Sequence, residues 1–535
     1  MQPTLCKKCR GRFYVNDLRH VLPPSLVTDL RNGIQINADV HAESMRQTLA
    51  GLIPKLDKYD AEIRELEETL AYLKHRRTDL AHSISVYKTY LAPIRRLPVE
   101  LLCKFFLEAS AVGDRFPIGN DIRETFQSHS QTSLRIASVC SYWRSVSLSF
   151  PPLWSVMFID ADDDNLSRST RELLSLYQRR SCTKPIHIGI SAQPCGHRSD
   201  DIPILPYMSL KTIFSPSSSL LNFSSCCSLI FDMRLASPSD LALPSPGFVS
   251  LERLDLVGFV NDSDINNTTT LSSLFHDAPQ LRELHLHDTW STTFPDVGID
   301  CSAIRTLWLE QYEYDTQWDE IVRILGNFPS LDVLVFYCGW FKNITTTVTI
   351  PGVRVLRICA GDEIPVRLLH VLMLPDLRCL EIFDDEKSDG PIIIAPEEID
   401  VIVASFVRSS FINELRFDKV VIRDVDLIRI LESVPKLTKV ALVEGEYYYV
   451  HISITDELLD RMMMDADFLP KLEDLELVWA EENEIEEGKV LSVIENRCGR
   501  LRSVIVGVRG GRELKKKTLQ RIQRLRELGL SIQLY

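Results

Sequence analysis

Apolar side chains between residues 49 and 91 recur on alternating steps of four and three: Leu52, Leu56, Tyr59, Ile63, Leu66, Leu70, Leu73, Leu80, Ile84, Tyr87 and Leu91. Arg77 alone interrupts the series, and charged residues such as Asp60, Glu62, Arg64, Glu65, Glu67, Glu68, Arg76 and Asp79 fill the gaps. A sustained 3.5-residue repeat with charged flanks predicts a coiled-coil helix over 46–92. Pro54 is expected in its first turn, where a missing N–H is harmless, and Pro93 is expected to end it. The seam suits a homodimer through residues 52–91, or packing on the chain's own body.

A different period governs the second half. LERLDL (251–256), LRELHL (281–286), IRTLWL (304–309), LDVLVF (331–336) and VRVLRI (353–358) share the pattern L-x-x-L-x-L. So do LRCLEI (377–382), INELRF (412–417), LTKVAL (437–442), LEDLEL (472–477) and LRSVIV (501–506). One such match arises by chance; ten in order, 22 to 35 residues apart, mark a solenoid, and the pattern is that of the leucine-rich repeat. Stretches between matches, such as LLHVLMLP and VDLIRILESVPK, read as helices. In each strand the fourth and sixth positions face the core and the third and fifth face away, because side chains alternate.

An eight-stranded α/β barrel has a similar period, but its strands are apolar on both faces. Here the outward positions carry Arg253, Asp255, Glu283, His285, Glu381, Glu414, Arg416, Asp474 and Glu476, which predicts a solvated face and excludes the barrel. The helices belong on the convex side and the outward positions on the concave one. Repeat length is irregular, and no Asn follows each strand at a fixed place.

The remainder sets limits. At 535 residues the chain exceeds a single compact core. Its ordinary composition, 45% hydrophobic and 25% charged, excludes collagen-like, wholly disordered and disulfide-framework classes. No run approaches the roughly 20 apolar residues of a membrane helix, and MQPTLCKKCRGRF has no apolar signal core, so an intracellular, cytoplasmic or nuclear protein is expected. Thirteen Cys, mostly single within apolar runs, suit a reducing compartment. A formal charge of −14 argues against nucleic-acid binding. Residues 1–45 are expected as a partly disordered tail. Cys6, Cys9 and His20 there make at most half a metal site, so no metal and no cofactor is expected. Residues 156–250 contain strand-like SVMFI and IHIGI among Ser/Pro-rich loops at 215–219, 237–239 and 244–246, and read as irregular first repeats.

Residues 93–155 are unusually apolar for a short segment. Pro98 suits a helix start, and Leu97, Leu101, Leu102 and Phe105 give one broad apolar face. SLRIASVCSYWRSVSLSFPPLW (133–154) predicts a second amphipathic helix with Leu134, Ala137, Val139, Cys140, Trp143 and Val146. Two or three short helices bury too little to stand alone, so a partner is expected to supply the rest, the alternative being that they pack against the first repeat as its N-terminal cap.

These residues resemble the F-box: Leu97-Pro98, Glu100-Leu101-Leu102, Phe105-Phe106, Val139-Cys140, Trp143-Arg144 and Leu153-Trp154 match its motif parts in order. The polar stretch Gly113 to Ser133 departs from it as an insertion. The charged coiled coil upstream is similar to the arrangement in the large F-box families of mushroom-forming fungi. The resemblance implies an α/β chain: coiled-coil helix, small all-α F-box, then a leucine-rich-repeat solenoid over 251–535 with a C-terminal cap. It further implies docking on the Skp-type adaptor of a cullin–RING (SCF-type) ubiquitin ligase. Leu97, Pro98, Glu100, Leu101, Leu102, Phe105, Val139 and Trp143 would make or support that contact, while the repeats capture a protein substrate.

The track for that substrate is expected at His285, His287, Trp308, Glu310, Val335, Tyr337, Arg357, Glu381 and Phe383, aromatics set beside charges. Glu481–Glu487 reads as a solvated loop or helix start, and the helix carrying Lys515, Lys516, Lys517, Arg521, Arg524 and Arg526 as the cap. Phosphate-loop, dinucleotide, nucleophile-elbow and zinc-protease motifs are absent, so the chain is expected not to be an enzyme. The competing reading is a coiled-coil scaffold or ligand sensor with a relic box.

Overall fold

A computed structural model describes residues 24–33, 38–110, 131–160, 168–191, 213–214, 221–232, 247–257, 275–287, 299–311, 318–338, 344–360, 364–384, 392–445, 453–481, 483, 485–510 and 514–535. Cys6, Cys9, His20, the polar insertion up to residue 130 and the three Ser/Pro-rich loops lie outside them. The chain divides into Met1–Pro98 and Val99–Tyr535.

The first unit is helical. Helix α1 spans Pro24–Arg31 and α2 spans Ala38–Tyr90, 53 residues. The expected tail therefore holds a short helix and the start of the long one, and Pro54 sits inside α2, not in its first turn. An interior proline forfeits one backbone hydrogen bond, at a cost of about 3 kcal/mol. Hydroxyls of Thr48, Thr69, Thr78, Ser83 and Thr89 donate to carbonyls one turn back. The seam residues Leu56, Ile63, Leu70, Leu73, Leu80, Ile84 and Tyr87 are exposed. Pro93 begins a 3-10 turn, Pro93–Arg96, which ends the helix where the sequence predicts.

The second unit opens with α3 (Val99–Ala109), a helix over 131–138, α4 (Ser141–Leu148) and a 3-10 turn, Pro151–Trp154. The single helix expected over 133–154 is thus two. The chain breaks at Val139–Cys140, where extended Cys140 caps α4 by accepting from Trp143 N at 3.4 Å. There follow β1 (Val156–Asp160), α5 (Arg168–Ser181), β2 (Ile186–Ser191), β3 (Cys226–Asp232), β4 (Arg253–Val257) and β5 (Glu283–His287). The series continues through β6 (Thr306–Gln311), β7 (Val333–Cys338), β8 (Val355–Ala360), β9 (Cys379–Phe383) and β10 (Glu414–Asp418). It closes with β11 (Lys439–Val443), β12 (Asp474–Trp479), β13 (Ser503–Val508) and β14 (Ser531–Leu534). All fourteen form one parallel sheet in chain order, so each repeat pairs with the next and the ends do not meet. The fold is an α/β solenoid, and the barrel is excluded.

Every L-x-x-L-x-L match is a strand, and its first, fourth and sixth residues are buried, as Leu251, Leu254 and Leu256 illustrate. The helices between strands fill the same core: Ile399, Ile402 and Phe406 from Ile399–Arg408, and Leu427, Ile430 and Leu431 from Asp424–Glu432. A main-chain ladder runs along the entry to the strands. The second motif residue donates its N–H to its counterpart in the preceding repeat, from Arg282 to Glu252 (2.9 Å) through Arg305, Asp332, Arg354, Arg378, Asn413 and Thr438 to Glu473 and Arg502. A ladder made by main chain places no demand on side-chain type, which is why that column is so variable.

The helical segment Val99–Trp154 shares this core. Leu102, Phe106, Ile136, Val146, Leu153 and Trp154 belong to the cluster that continues into Met157, Leu174 and Tyr177. Trp154 packs edge-on to Tyr177 at 5.1 Å and donates its Nε1–H to Ser147 O at 2.8 Å. The first repeats thus supply burial that this segment lacks alone, while Val99, Leu101, Phe105, Val139 and Tyr142 stay exposed. At the other end, Glu487 at the end of the acidic run is buried, accepts from Lys515 N (2.9 Å) and Thr518 Oγ1 (2.5 Å), and ties down the capping helix Lys516–Glu527.

Candidate functional site

Two surfaces hold the residues that sequence singles out. The first is on α3 and its neighbours. Successive helix residues are about 100° apart, so Leu102 and Phe106 share one side and Leu101 and Phe105 the next. Leu102 and Phe106 are buried, and Phe106 meets Trp143 at 5.0 Å between ring centroids. Leu101 is 44% exposed and Phe105 56%, with Val99 and Glu100 also open. Val139 is 59% exposed at the break before α4, and Tyr142 in its first turn is exposed too. Leu102 therefore belongs to the interior and can act on such a surface only as support, the part already expected of Trp143, which is half-buried. Leu97 and Pro98 close the first unit, half-buried and exposed respectively. Sequence reasoning missed Val99 and Tyr142, which the helical spacing of Leu101 and the aromatic beside Trp143 could have suggested.

The second surface is the sheet face opposite the helices. Register sets Asp255, His285, Trp308, Val335, Arg357, Glu381 and Arg416 side by side along one row. The next row, two residues on, runs His287, Glu310, Tyr337, Cys359, Phe383 and Asp418. Rings step across it: His285 stacks on Trp308 at 5.2 Å, Trp308 on Tyr337 at 6.3 Å, and Tyr337 meets Phe383 at 6.5 Å. Trp308, Tyr337 and Phe383 are half-buried, leaving edges to solvent. Arg357 pairs with Glu381 at 2.8 Å, and Arg416 binds Asp418 (2.9 Å) and Glu476 (2.5 Å). Each expected residue is on this face, but the charges at its centre already hold one another.

At the amino-terminal end the expected solvated face is corrected. Asp255, His285, His287 and Glu310 are all buried. Arg253 forks onto Asp255, Nε to Oδ2 at 2.8 Å and Nη2 to Oδ1 at 3.0 Å, and its Nη2 lies 3.3 Å from His285 Nδ1. Asp255 Oδ1 lies 3.0 Å from His285 Nδ1 and 3.6 Å from His287 Nε2. On the far side of its ring, His287 Nδ1 meets Glu310 Oε2 at 2.7 Å. Neighbouring strands are under 5 Å apart, so a carboxylate on one reaches an imidazole on the next. Burial raises the Asp255 carboxyl, but His285 and Arg253 outweigh it and hold it well below the usual range. Burial lowers His287, but hydrogen bonds to Asp255 and Glu310 hold it up at about 9. Burial lowers His285 as well, and Arg253 and His287 add to that against Asp255. Alternation along a strand marks these positions as outward, while only cross-strand pairing makes them interior, so sequence alone could not find the knot.

No protein-family model matches this chain, and no curated protein matches it. Among the described residues no helix is long and apolar enough to cross a membrane.

Proposed function

We propose that this chain is the substrate-recognition subunit of a cullin–RING ubiquitin ligase. The F-box-like segment docks on a Skp-type adaptor and the solenoid holds a protein substrate. One observation carries the reading: α3 keeps Leu101 and Phe105 in solvent while Leu102 and Phe106, the residues that follow them, are buried. Large apolar side chains left out of an available core favour a partner, and burying the roughly half of each that is exposed would contribute about 1 kcal/mol. The order of motif parts from Leu97-Pro98 to Leu153-Trp154 supports the adaptor as that partner. The substrate surface in this reading is the row of Trp308, Tyr337 and Phe383, flanked by Arg357 and Glu381. His285 acts beneath it as the stacking floor of Trp308. The role is binding, and catalysis belongs to the assembled ligase.

The seam of α2 serves a second copy of the chain. Its apolar residues are exposed on a 3.5-residue repeat, the spacing that a partner helix fills. A scaffold without ligase function would keep this dimer and lack the adaptor. The test is co-expression of the full chain with a Skp-type adaptor, followed by gel filtration. Co-elution that Leu101→Asp/Phe105→Asp abolishes supports the ligase subunit. Elution apart from the adaptor by the folded wild-type chain overturns it in favour of the scaffold.

A further inference from the structure

The knot at the amino-terminal end of the strand face borders the substrate row through the His285–Trp308 stack, but its buried polar atoms have no part in the adaptor or substrate contacts proposed above. We infer that Asp255, His285 and His287 form a binding site for a divalent metal ion of the zinc class, with Glu310 as its outer carboxylate. The three residues offer one ligand atom each, all within 4.8 Å of one another. Ligands held tetrahedrally at about 2.0–2.1 Å from zinc lie roughly 3.3 Å apart. The Asp255 Oδ1 separations of 3.0 Å and 3.6 Å from the two imidazole nitrogens bracket that value. Two imidazoles and a carboxylate are a donor set suited to zinc and its first-row neighbours.

The surroundings fit a metal better than an ordinary ion pair. His287 presents Nε2 to Asp255 and hands Nδ1 to Glu310 at 2.7 Å, the arrangement in which an outer carboxylate fixes tautomer and ring orientation for a metal-bound histidine. The second oxygen, Glu310 Oε1, is buried and has no hydrogen-bond partner among the described residues. A buried acceptor without a donor is costly, and an ion or its bound water would satisfy it. Asp255 and Glu310 balance Arg253 and a protonated His287, so an ion would take the place of the His287 proton at Nε2. Arg253 opposes the ion in part: its Nη2 contacts both Asp255 Oδ1 and His285 Nδ1, and must release those lone pairs while Nε stays on Oδ2. The ion would join β4 and β5, two successive repeats, through His285, the ring on which Trp308 stacks.

The probe is Co²⁺, followed by Zn²⁺ competition, on the purified full chain after chelator treatment. One equivalent of Co²⁺ is expected to bind with the visible ligand-field absorption of a low-symmetry site, and Zn²⁺ to displace it. His287→Ala should abolish that band. Glu310→Gln, which keeps the shape of the pocket, should weaken binding roughly 10–100-fold. Arg253→Met should tighten it, whereas a purely structural ion-pair knot gains no metal from that change. Circular dichroism of each variant separates unfolding from ligand loss. X-ray absorption of the Zn²⁺-loaded wild-type chain needs no variant: nitrogen and oxygen neighbours with imidazole scattering are expected. A sulfur neighbour at about 2.3 Å would put the ion on cysteines and overturn the site. So would no saturable binding, or binding that folded His287→Ala and Glu310→Gln leave unchanged.

Discussion

Leu101 and Leu102 are adjacent in the chain and opposite in environment: the first is 44% exposed, the second has no exposed surface. One residue of helical rotation separates a side chain that holds the second unit together from one that faces solvent. Folding and docking can therefore be broken separately.

Leu102→Ala should lower the unfolding free energy by about 2–5 kcal/mol, from lost transfer energy and the cavity left beside Phe106 and Trp143. Leu101→Ala should fall within about 0.5 kcal/mol of wild type. Urea denaturation of the full chain followed by tryptophan fluorescence measures both. Equal losses would mean that Leu101 is also part of the interior.

Arg497 is a buried cation held by main-chain oxygens. Its guanidinium donates to Met462 O (2.8 Å), Leu469 O (3.0 Å), Phe468 O (2.7 Å) and Asp465 O (3.3 Å), binding Glu487–Arg497 to the end of Asp456–Met464. Arg497→Met should cost at least about 3 kcal/mol, because several buried carbonyls lose their donor at once. Hydrogen exchange resolved by peptide should show the loss concentrated in these two helices. A spread over the whole sheet would contradict this role.

Thiol reactivity should divide by burial. Burial, with help from Glu252, Asp300 and Glu414 respectively, pushes Cys227, Cys301 and Cys379 up to about 11. At about pH 8 only around one thiol in a thousand is then thiolate, the reactive form. Cys182 and Cys498 are exposed, and Cys226 and Cys359 are buried. Brief iodoacetamide treatment near neutral pH should label Cys182 and Cys498 in the native chain. Cys226 and Cys359 should react only on unfolding, as read by peptide mass spectrometry. Native labelling of Cys226 would argue that the first repeats open readily.

The long helix should set the oligomeric state. Light scattering of the full chain should give twice the monomer mass. Leu70→Lys/Leu73→Lys should return the monomer with unchanged solenoid signal, because both positions are solvent-facing within one chain. A wild-type monomer at micromolar concentration would exclude the second copy.

Much of the fold was legible because it rests on short-range repetition. Each L-x-x-L-x-L match carries its own burial pattern, and the ten matches are ten successive strands of the sheet. β3 escaped because CCSLIFD keeps Leu229 and Phe231 at the fourth and sixth places but has no leucine at the first. β14 escaped because Gly529, at φ 95°, turns the chain straight from the last helix into a four-residue strand. The exposed side of α3 follows from helical spacing once Leu102 is known to be buried, but spacing alone treats Leu101 and Leu102 alike. The Asp255–His285–His287–Glu310 knot was hidden because its partners are 23 to 32 residues apart and meet only through register.

Where an adaptor sits is the most direct test. Hydrogen–deuterium exchange of the full chain should be measured with and without a purified Skp-type adaptor. Adaptor docking predicts new protection over Val99–Ala109 and the first turn of Ser141–Leu148, with the strand face from Trp308 to Phe383 unchanged. No protection in those helices at saturating adaptor, with the chain folded, would contradict docking and leave a repeat protein whose helical segment only caps its first strands.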